Sequence, residues 1–430
     1  MRPIEETWRR VQHLARLSPV RSLLLRRAAL LSGSVALTRI LGFGFSVVSA
    51  RALTPANFGV VIYALALANL ASILLFNSPA GLSRALARSH RDLHQQNVIF
   101  SNYLVIVGCL LGASLLAAVP IGLAARLEGL VLVGLLANLV GTATLETYQE
   151  LQRGRERFLV VAAFNVLANL IQLLAVVGFL VIGWAQPGPY VIAFGLSSVL
   201  AATVVQLFSP LGVRFLRASV DWARIRESLR FVLPLVFDTA CFMVWSGVDV
   251  LLLRAFTTLD VVGMYGAAKS LSYGALVAGS AIGTALLPQA ARLLPDERSS
   301  YLRTFLPIVV GATLPAVVAI AVLAPWLLTL FFGPSYRAAT PALAILACST
   351  GMYGIGLTLE ASWIAMGRPR LAAAGTAVAA AVAVITAPFL IGMAGMVGAA
   401  LASAFGSAGR LVLLGTVTAR SMRAGTSSTP

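Results

Sequence analysis

A chain of 430 residues in which 59% are hydrophobic and 11% charged, yet which carries a formal net charge of +17, is composed for a bilayer rather than for water. In a soluble protein that charge would point to nucleic acid, but here the arginines gather in short segments between apolar runs, which excludes that partner. Cys109, Cys241 and Cys348 all lie inside apolar runs with no CxxC spacing, which excludes a cysteine-based redox or metal motif.

Residues 1–28 are rich in arginine and contain no A-x-A cleavage site, so they do not read as a secretory signal. Ile4, Trp8, Val11 and Ala15 recur at helical spacing beside Arg9, Arg10 and Arg16, which suits an amphipathic helix on an anionic leaflet; a disordered basic tail fits equally. Apolar runs then predict twelve spans, at 29–50, 60–82, 98–124, 129–151, 158–183, 190–210, 231–256, 262–287, 304–332, 341–366, 370–390 and 394–418. The even-numbered connections hold Arg84, Arg88, Arg153, Arg155, Arg157, Arg214, Arg226, Arg292, Arg298, Arg368 and Arg370 among others, whereas the odd-numbered ones or their edges hold only Arg51, Arg126, Arg254 and Arg337. By the positive-inside rule both termini are cytoplasmic. Trp184 and Tyr190, flanking the short loop between the fifth and sixth spans, read as interfacial anchors.

The polar stretch RFLRASVDWARIRESLR at 214–230 divides the spans into two sets of six. ARALTPANFGVVIY at 50–63 echoes LRAFTTLDVVGMYG at 253–266, aligning Arg51 with Arg254 at the outer end of the first helix of each half. An even number of spans per half makes this a parallel repeat about an axis along the membrane normal, with the natural binding site between the halves. The predicted fold is therefore all-α, about twelve transmembrane helices in two six-helix lobes around a central cavity. The expected segments are 1–28, a basic amphipathic piece; 29–210, the first lobe; 211–230, the linker; 231–418, the second lobe; and 419–430, a tail.

Ionisable residues within spans are functional-site candidates. Arg39 lies about ten residues from either end of the first span, where a guanidinium costs at least ~2.5–3.5 kcal/mol and cannot snorkel easily. It either receives a phosphate in the cavity or is held by helix carbonyls or a buried acid; the first three spans contain no acid. Lys269, the chain's single lysine, matches Asp249 in depth, so the two suit a pair that either fixes adjacent helices or takes part in binding and gating. Asp238, eleven residues before Asp249, falls on the same face of its helix. Glu146, Glu150 and Glu360 lie near cytoplasmic ends, where Arg153, Arg155 and Arg368 can neutralise them.

TRILGF, SARALTPANFG, the run from SLRFVLPLVFDTACFMVWSGVDVLLLRAF to VVGMYGAAKSL, ALLPQAARL and LFFGPSYRAATPALAIL together resemble the polysaccharide-transporter (O-antigen flippase) family. Its superfamily also holds lipid-linked peptidoglycan precursor flippases and multidrug and toxin extrusion exporters. The resemblance spans roughly 29–418, with a second-half pattern of Asp, Gly-x-Tyr, Ala-Lys and Leu-Pro. It implies alternating-access movement of undecaprenyl-diphosphate-linked sugars across the inner membrane, with a cationic cavity receiving the diphosphate. The expected substrate-binding set is Arg39, Lys269, Asp249, Asp238, Arg51 and Arg254, with no catalytic residue, metal or cofactor. Expected partners are the lipid-linked sugar diphosphate, membrane lipids and the glycosyltransferases and polymerase of the same pathway, the transporter itself acting as a monomer. Sugar hydroxyls would meet dispersed amides such as Asn69, Asn77, Asn165, Asn169 and Gln172.

Three weaker patterns fall away. GMYGAAKS has Ala268 where a phosphate loop needs its second glycine, and it opens a membrane span. His90 and His94 have helical spacing without a third ligand, and Gly398, Ala402 and Gly406 form a small-residue stripe that packing explains. A cation-coupled multidrug exporter would want an acid where the first half offers Arg39. A membrane glycosyltransferase or polymerase would want more than Glu128 and Asp260 in the outer connections.

Overall fold

The computed structural model describes residues 19–76, 80–89, 92–209, 212–216, 220–290, 295–365 and 368–426, and no strand occurs among them. The helices are α1 (Pro19–Ala52), α2 (Pro55–Ala71), α3 (Ala80–Arg88), α4 (Leu93–Ala124), α5 (Gly129–Gly154), α6 (Phe158–Val181) and α7 (Pro187–Phe208). After the linker come α8 (Trp222–Phe256), α9 (Leu259–Ala290), α10 (Pro295–Phe331), a 3₁₀ turn (Pro334–Ala339), α11 (Thr340–Ala365) and α12 (Pro369–Thr426).

Local sequence sets the boundaries. Thr54 caps α2, its hydroxyl accepting the Asn57 N–H at 3.2 Å, and Pro55 follows at the first helical position, where its missing N–H costs nothing. Asp92 and Asp221 cap α4 and α8 in the same way, accepting from Gln95 N and Ala223 N. α12 is two passes joined at Gly395, whose φ of 53° and ψ of −125° suit only a residue without Cβ. The passes then meet closely, since a Cβ on Gly398 would stand 1.8 Å from the Leu390 carbonyl oxygen.

Among the described residues nine helices are long and apolar enough to cross a membrane, with α12 counted once. The second arm of α12, α2 continued by α3, and α9 complete a twelve-pass bundle. The second span departs from expectation: instead of one helix over 60–82, α2 stops at Ala71, where the Ser72 N–H bonds Ala68 O and its hydroxyl turns back to Asn69 O, both at 2.9 Å. The short amphipathic α3 follows. Tyr190 also departs from expectation, being wholly buried against Phe179 with its hydroxyl on the Trp184 carbonyl at 3.1 Å, so it anchors the loop rather than the interface. The N-terminal amphipathic stretch lies outside the described residues.

In the first half α5 lies on α7 and α1 on α6; in the second, α9, α10 and α12 surround α11, and α8 packs on α12. Between the halves α2 crosses α9. The crossing is reciprocal: a Cβ on Gly59 would be 2.0 Å from Leu259 O, and one on Gly263 would be 2.1 Å from Pro55 O. Such exchange of equivalent contacts is what a pseudo-twofold axis requires. Odd-numbered connections gather at the arginine-poor end of the bundle and even-numbered ones at the arginine-rich end.

Candidate functional site

The halves close on each other at the arginine-poor end. Phe43 of α1 meets Phe331, the last residue of α10, and Phe332 in the turn after it edge-on, with ring centroids 5.1 and 6.1 Å apart, and Phe58 of α2 meets Phe332 and Tyr336. Each such ring pair contributes about 0.5–1.5 kcal/mol beyond the area it buries. The Tyr336 hydroxyl donates to Ala50 O at 3.3 Å. Arg51, in the last turn of α1, donates from Nε to Phe331 O at 2.8 Å and from Nη2 to Leu330 O. A cation on the free carbonyls of a helix C-terminus also meets the negative end of its dipole. Arg254, its counterpart in the last turn of α8, instead donates to Thr257 O at 3.2 Å within its own half.

Beneath this seal lies Arg39. Residues three, four and seven apart share a helix face, so Arg39 lies on the side of α1 that carries Phe43, Ser46 and Ala50. Phe43 and Ala50 both touch the second half, so that side of α1 turns toward it. Arg39 is exposed there and forms no hydrogen bond or ion pair with any described residue. It stands about one turn, ~6 Å, below the aromatic seal.

Asp249, Tyr265 and Lys269 come together as a second cluster. Lys269 Nζ donates to both Asp249 carboxylate oxygens at 2.6 and 2.7 Å and to Ser246 O, and the Tyr265 hydroxyl donates to Asp249 Oδ2 at 2.6 Å. The three ammonium protons are thereby spoken for, and the pair ties α8 to α9 beside the Gly59–Gly263 crossing. These are the residues of the Asp, Gly-x-Tyr and Ala-Lys pattern, which the fold explains as one helix-to-helix junction.

The most deeply buried charge in the second half, among the described residues, was not one of the expected site residues. Arg410, in the second arm of α12, is wholly buried; it bonds Glu360 through Nη2, donates from Nη1 to Tyr353 O at 3.2 Å, and lies 3.9 Å over the Tyr353 ring. Gly356 leaves room for the guanidinium, since a Cβ there would be 3.1 Å from Nη1. Glu360 is thus neutralised by Arg410 and not by Arg368, which stacks on Trp363 instead. Asp238 lies beside Thr376 and within electrostatic reach of Arg410, so it faces α12 while Asp249 faces α9. Glu150 behaves as expected, bonded to Arg153 and accepting from Ser83 at 2.6 Å. The signal that marked Arg39, a charge inside an apolar span, also marks Arg410 within 394–418, but its partner lies 50 positions away and no sequence spacing pairs the two.

Comparisons with known proteins agree with this architecture. Residues 24–294 match the family described as polysaccharide biosynthesis protein. No curated protein sequence matches the chain. Among solved structures, the chain resembles an inward-facing multidrug resistance MATE family transporter of the MOP superfamily, with 13% identity, a TM-score of 0.73, and 91% of this chain and 96% of that one covered. It is similar to the lipid II flippase MurJ in an inward closed conformation at 15% identity and a TM-score of 0.71, covering 90% of this chain and 87% of that one. The Vibrio cholerae MATE transporter VcmN in its bent form aligns at 16% identity and a TM-score of 0.60, covering 94% and 98%. At these identities the likeness is one of fold.

Proposed function

Starting from the fact that the chain belongs to the polysaccharide biosynthesis protein family, on a fold it has in common with transporters, we propose that it moves undecaprenyl-diphosphate-linked oligosaccharide precursors from the inner to the outer leaflet of the bacterial inner membrane by alternating access. The two lobes are residues 29–210 and 231–418, joined by the linker at 211–230, and the arginine-rich end with both termini faces the cytoplasm.

One observation carries this reading. Arg39 is an exposed guanidinium at bilayer depth with no hydrogen-bond or ion-pair partner among the described residues, on the side of α1 that turns toward the second half, and rings of both halves lie between it and the arginine-poor end. Its planar fork fits two oxygens of a phosphate. A cationic drug would be repelled there, which weighs against the multidrug-exporter alternative despite the shared fold.

The cycle follows from the two ends of the cleft. With the arginine-poor end closed, the lipid headgroup enters from the cytoplasmic leaflet and its diphosphate settles on Arg39 while the prenyl chain stays in lipid. Rocking of the lobes breaks the Arg51 and Tyr336 bonds and parts the Phe43, Phe331 and Phe332 rings. An inside-negative potential favours outward transfer of the anion by ~2.3 kcal/mol per charge per 100 mV. Lys269 and Asp249 keep α8 and α9 together through the motion. The expected partners, membrane lipids and the glycosyltransferases and polymerase of the pathway, supply and consume the lipid-linked sugar; the transporter works as a monomer.

Proteoliposomes containing the purified protein test the proposal: a fluorescent undecaprenyl-diphosphate hexose should become accessible to a lectin on the opposite leaflet at a rate that depends on the protein. Translocation at the rate of protein-free vesicles would contradict it.

A further inference from the structure

The first lobe carries a run of side-chain amides at the depth of Arg39. Arg153 Nη2 donates to Gln149 Oε1 at 2.7 Å, Gln149 Nε2 donates to Asn165 Oδ1 at 2.9 Å, and Asn169 Nδ2 donates to Asn165 O at 2.9 Å. The chain of bonds climbs from the arginine-rich end of α5 to the middle of α6. The register of α6 against α1 follows from Gly42 and Gly44: a Cβ on Gly42 would be 3.4 Å from Asn169 Oδ1, and one on Gly44 would be 3.3 Å from Leu173. Both helices run in the same direction, so Asn165 and Asn169 flank the turn of α1 that holds Arg39.

Two of these amide groups are unused. Asn165 Nδ2 and Asn169 Oδ1 have no hydrogen-bond partner among the described residues, and neither is enclosed in the protein. They do not face lipid. The exposed apolar side chains Leu159, Leu170, Leu174, Val177 and Val181 of α6 form one stripe, within about 60° of Leu174, and the two asparagines lie roughly 140–180° around the helix from it; the exposed Leu180, off this stripe, stands about three turns beyond Asn169. An unpaired amide opening onto a surface at bilayer depth, away from lipid, belongs to a wet cleft. The other candidate amides are placed elsewhere: Asn69 lies on the exposed side of α2, Gln172 is buried, and Asn77 lies outside the described residues.

We propose that Asn165 and Asn169 form the saccharide subsite beside the Arg39 phosphate site, reading hydroxyls of the sugar nearest the diphosphate. This rests on the flippase reading and adds the orientation of the substrate within it. A primary amide offers a donor pair and an acceptor on adjacent atoms, which matches neighbouring hydroxyls of a pyranose and gives a phosphate nothing that Arg39 does not supply better. Because the amide run continues toward Gln149 and Arg153, the glycan extends from Arg39 along α5 and α6 toward the arginine-rich end, and the prenyl chain leaves the cleft on another side.

Binding to two probes, undecaprenyl diphosphate and undecaprenyl diphosphate bearing a single hexose from a panel of common hexoses, decides the matter in detergent-solubilised full-length protein. Wild type should bind at least one hexose conjugate more tightly than the bare diphosphate. Asn165→Ala and Asn169→Ala should each remove up to roughly tenfold of that increment and leave affinity for the bare diphosphate unchanged, with a ligand-free melting temperature lowered by no more than the loss of one hydrogen bond. Asn69→Ala should change neither affinity. If the asparagine variants weaken both probes equally, or if wild type gains nothing from any hexose, the subsite is wrong while the diphosphate site stands. If wild type binds neither probe, the flippase reading itself fails and the subsite falls with it.

Discussion

Arg51 and Phe331 stand 280 positions apart in the chain and are joined by an Nε–H···O bond of 2.8 Å that ties the end of α1 to the end of α10. Together with the bond from Tyr336 to Ala50 O, it spans the line along which the two lobes must part for the substrate to leave. Closure at this end therefore has a polar latch around an aromatic seal.

Arg51→Ala should shift the resting population toward a state open at the arginine-poor end, because the Leu330 and Phe331 carbonyls lose a cation worth about 0.3–1 kcal/mol, up to ~2 where partly buried. Spin labels at 185 and 335, one on each lobe near the latch, should report a longer mean distance in the variant by pulsed electron resonance. An unchanged distance distribution would remove Arg51 from the gate. Gly59→Ala should act in the same direction, since its Cβ would collide with Leu259 O at 2.0 Å and prevent the α2–α9 crossing.

The Arg410–Glu360 pair is expected to govern stability. Arg410→Ala leaves Glu360 buried without its cation and should lower stability by about 3–5 kcal/mol, read as an early melt in detergent. Adding Glu360→Gln to Arg410→Met should recover much of the loss, because the orphaned charge is then gone. A double variant as unstable as Arg410→Ala would mean that packing around Tyr353, not charge, is what Arg410 supplies.

For the junction of α8 and α9, Lys269→Ala and Asp249→Ala should each impair transport, and the Lys269→Asp, Asp249→Lys exchange should restore part of it. The coupling energy in the cycle should fall within ~0.5–3 kcal/mol, the range for residues in direct contact. Strict additivity would contradict the geometry of the pair.

Topology is open to a chemical check. A cysteine at 185, in the α6–α7 connection, should react with an impermeant thiol reagent in intact cells, and one at 214, in the linker, should be protected until the membrane is opened. The reverse pattern would invert the orientation.

Much of this fold was legible in the sequence because its signals are local: apolar length, loop arginines, and the Pro and Thr that open α2. The matched helix ends at Arg51 and Arg254 followed from the aligned repeat, and the Asp249–Lys269 contact from depth counted along neighbouring helices. What stayed hidden depends on the third dimension. Ser72 stops α2 by bonding its own backbone, a choice composition does not record; Tyr190 turns inward because Phe179 receives it; and Arg410 finds Glu360 only once α11 and α12 are packed. Arg39 was singled out for its depth, yet only the contact of Phe43 with α10 fixes which way that face of α1 looks.

The most direct test of the central claim is the melting temperature of Arg39→Ala with and without undecaprenyl diphosphate. An unpaired cavity arginine leaves no orphan when removed, so the variant should melt as wild type does without ligand and lose the stabilisation that ligand confers; Arg39→Lys, keeping the charge without the fork, should retain part of it. An Arg39→Ala protein that melts early yet still gains stability from the lipid diphosphate would make Arg39 a structural residue and contradict the account.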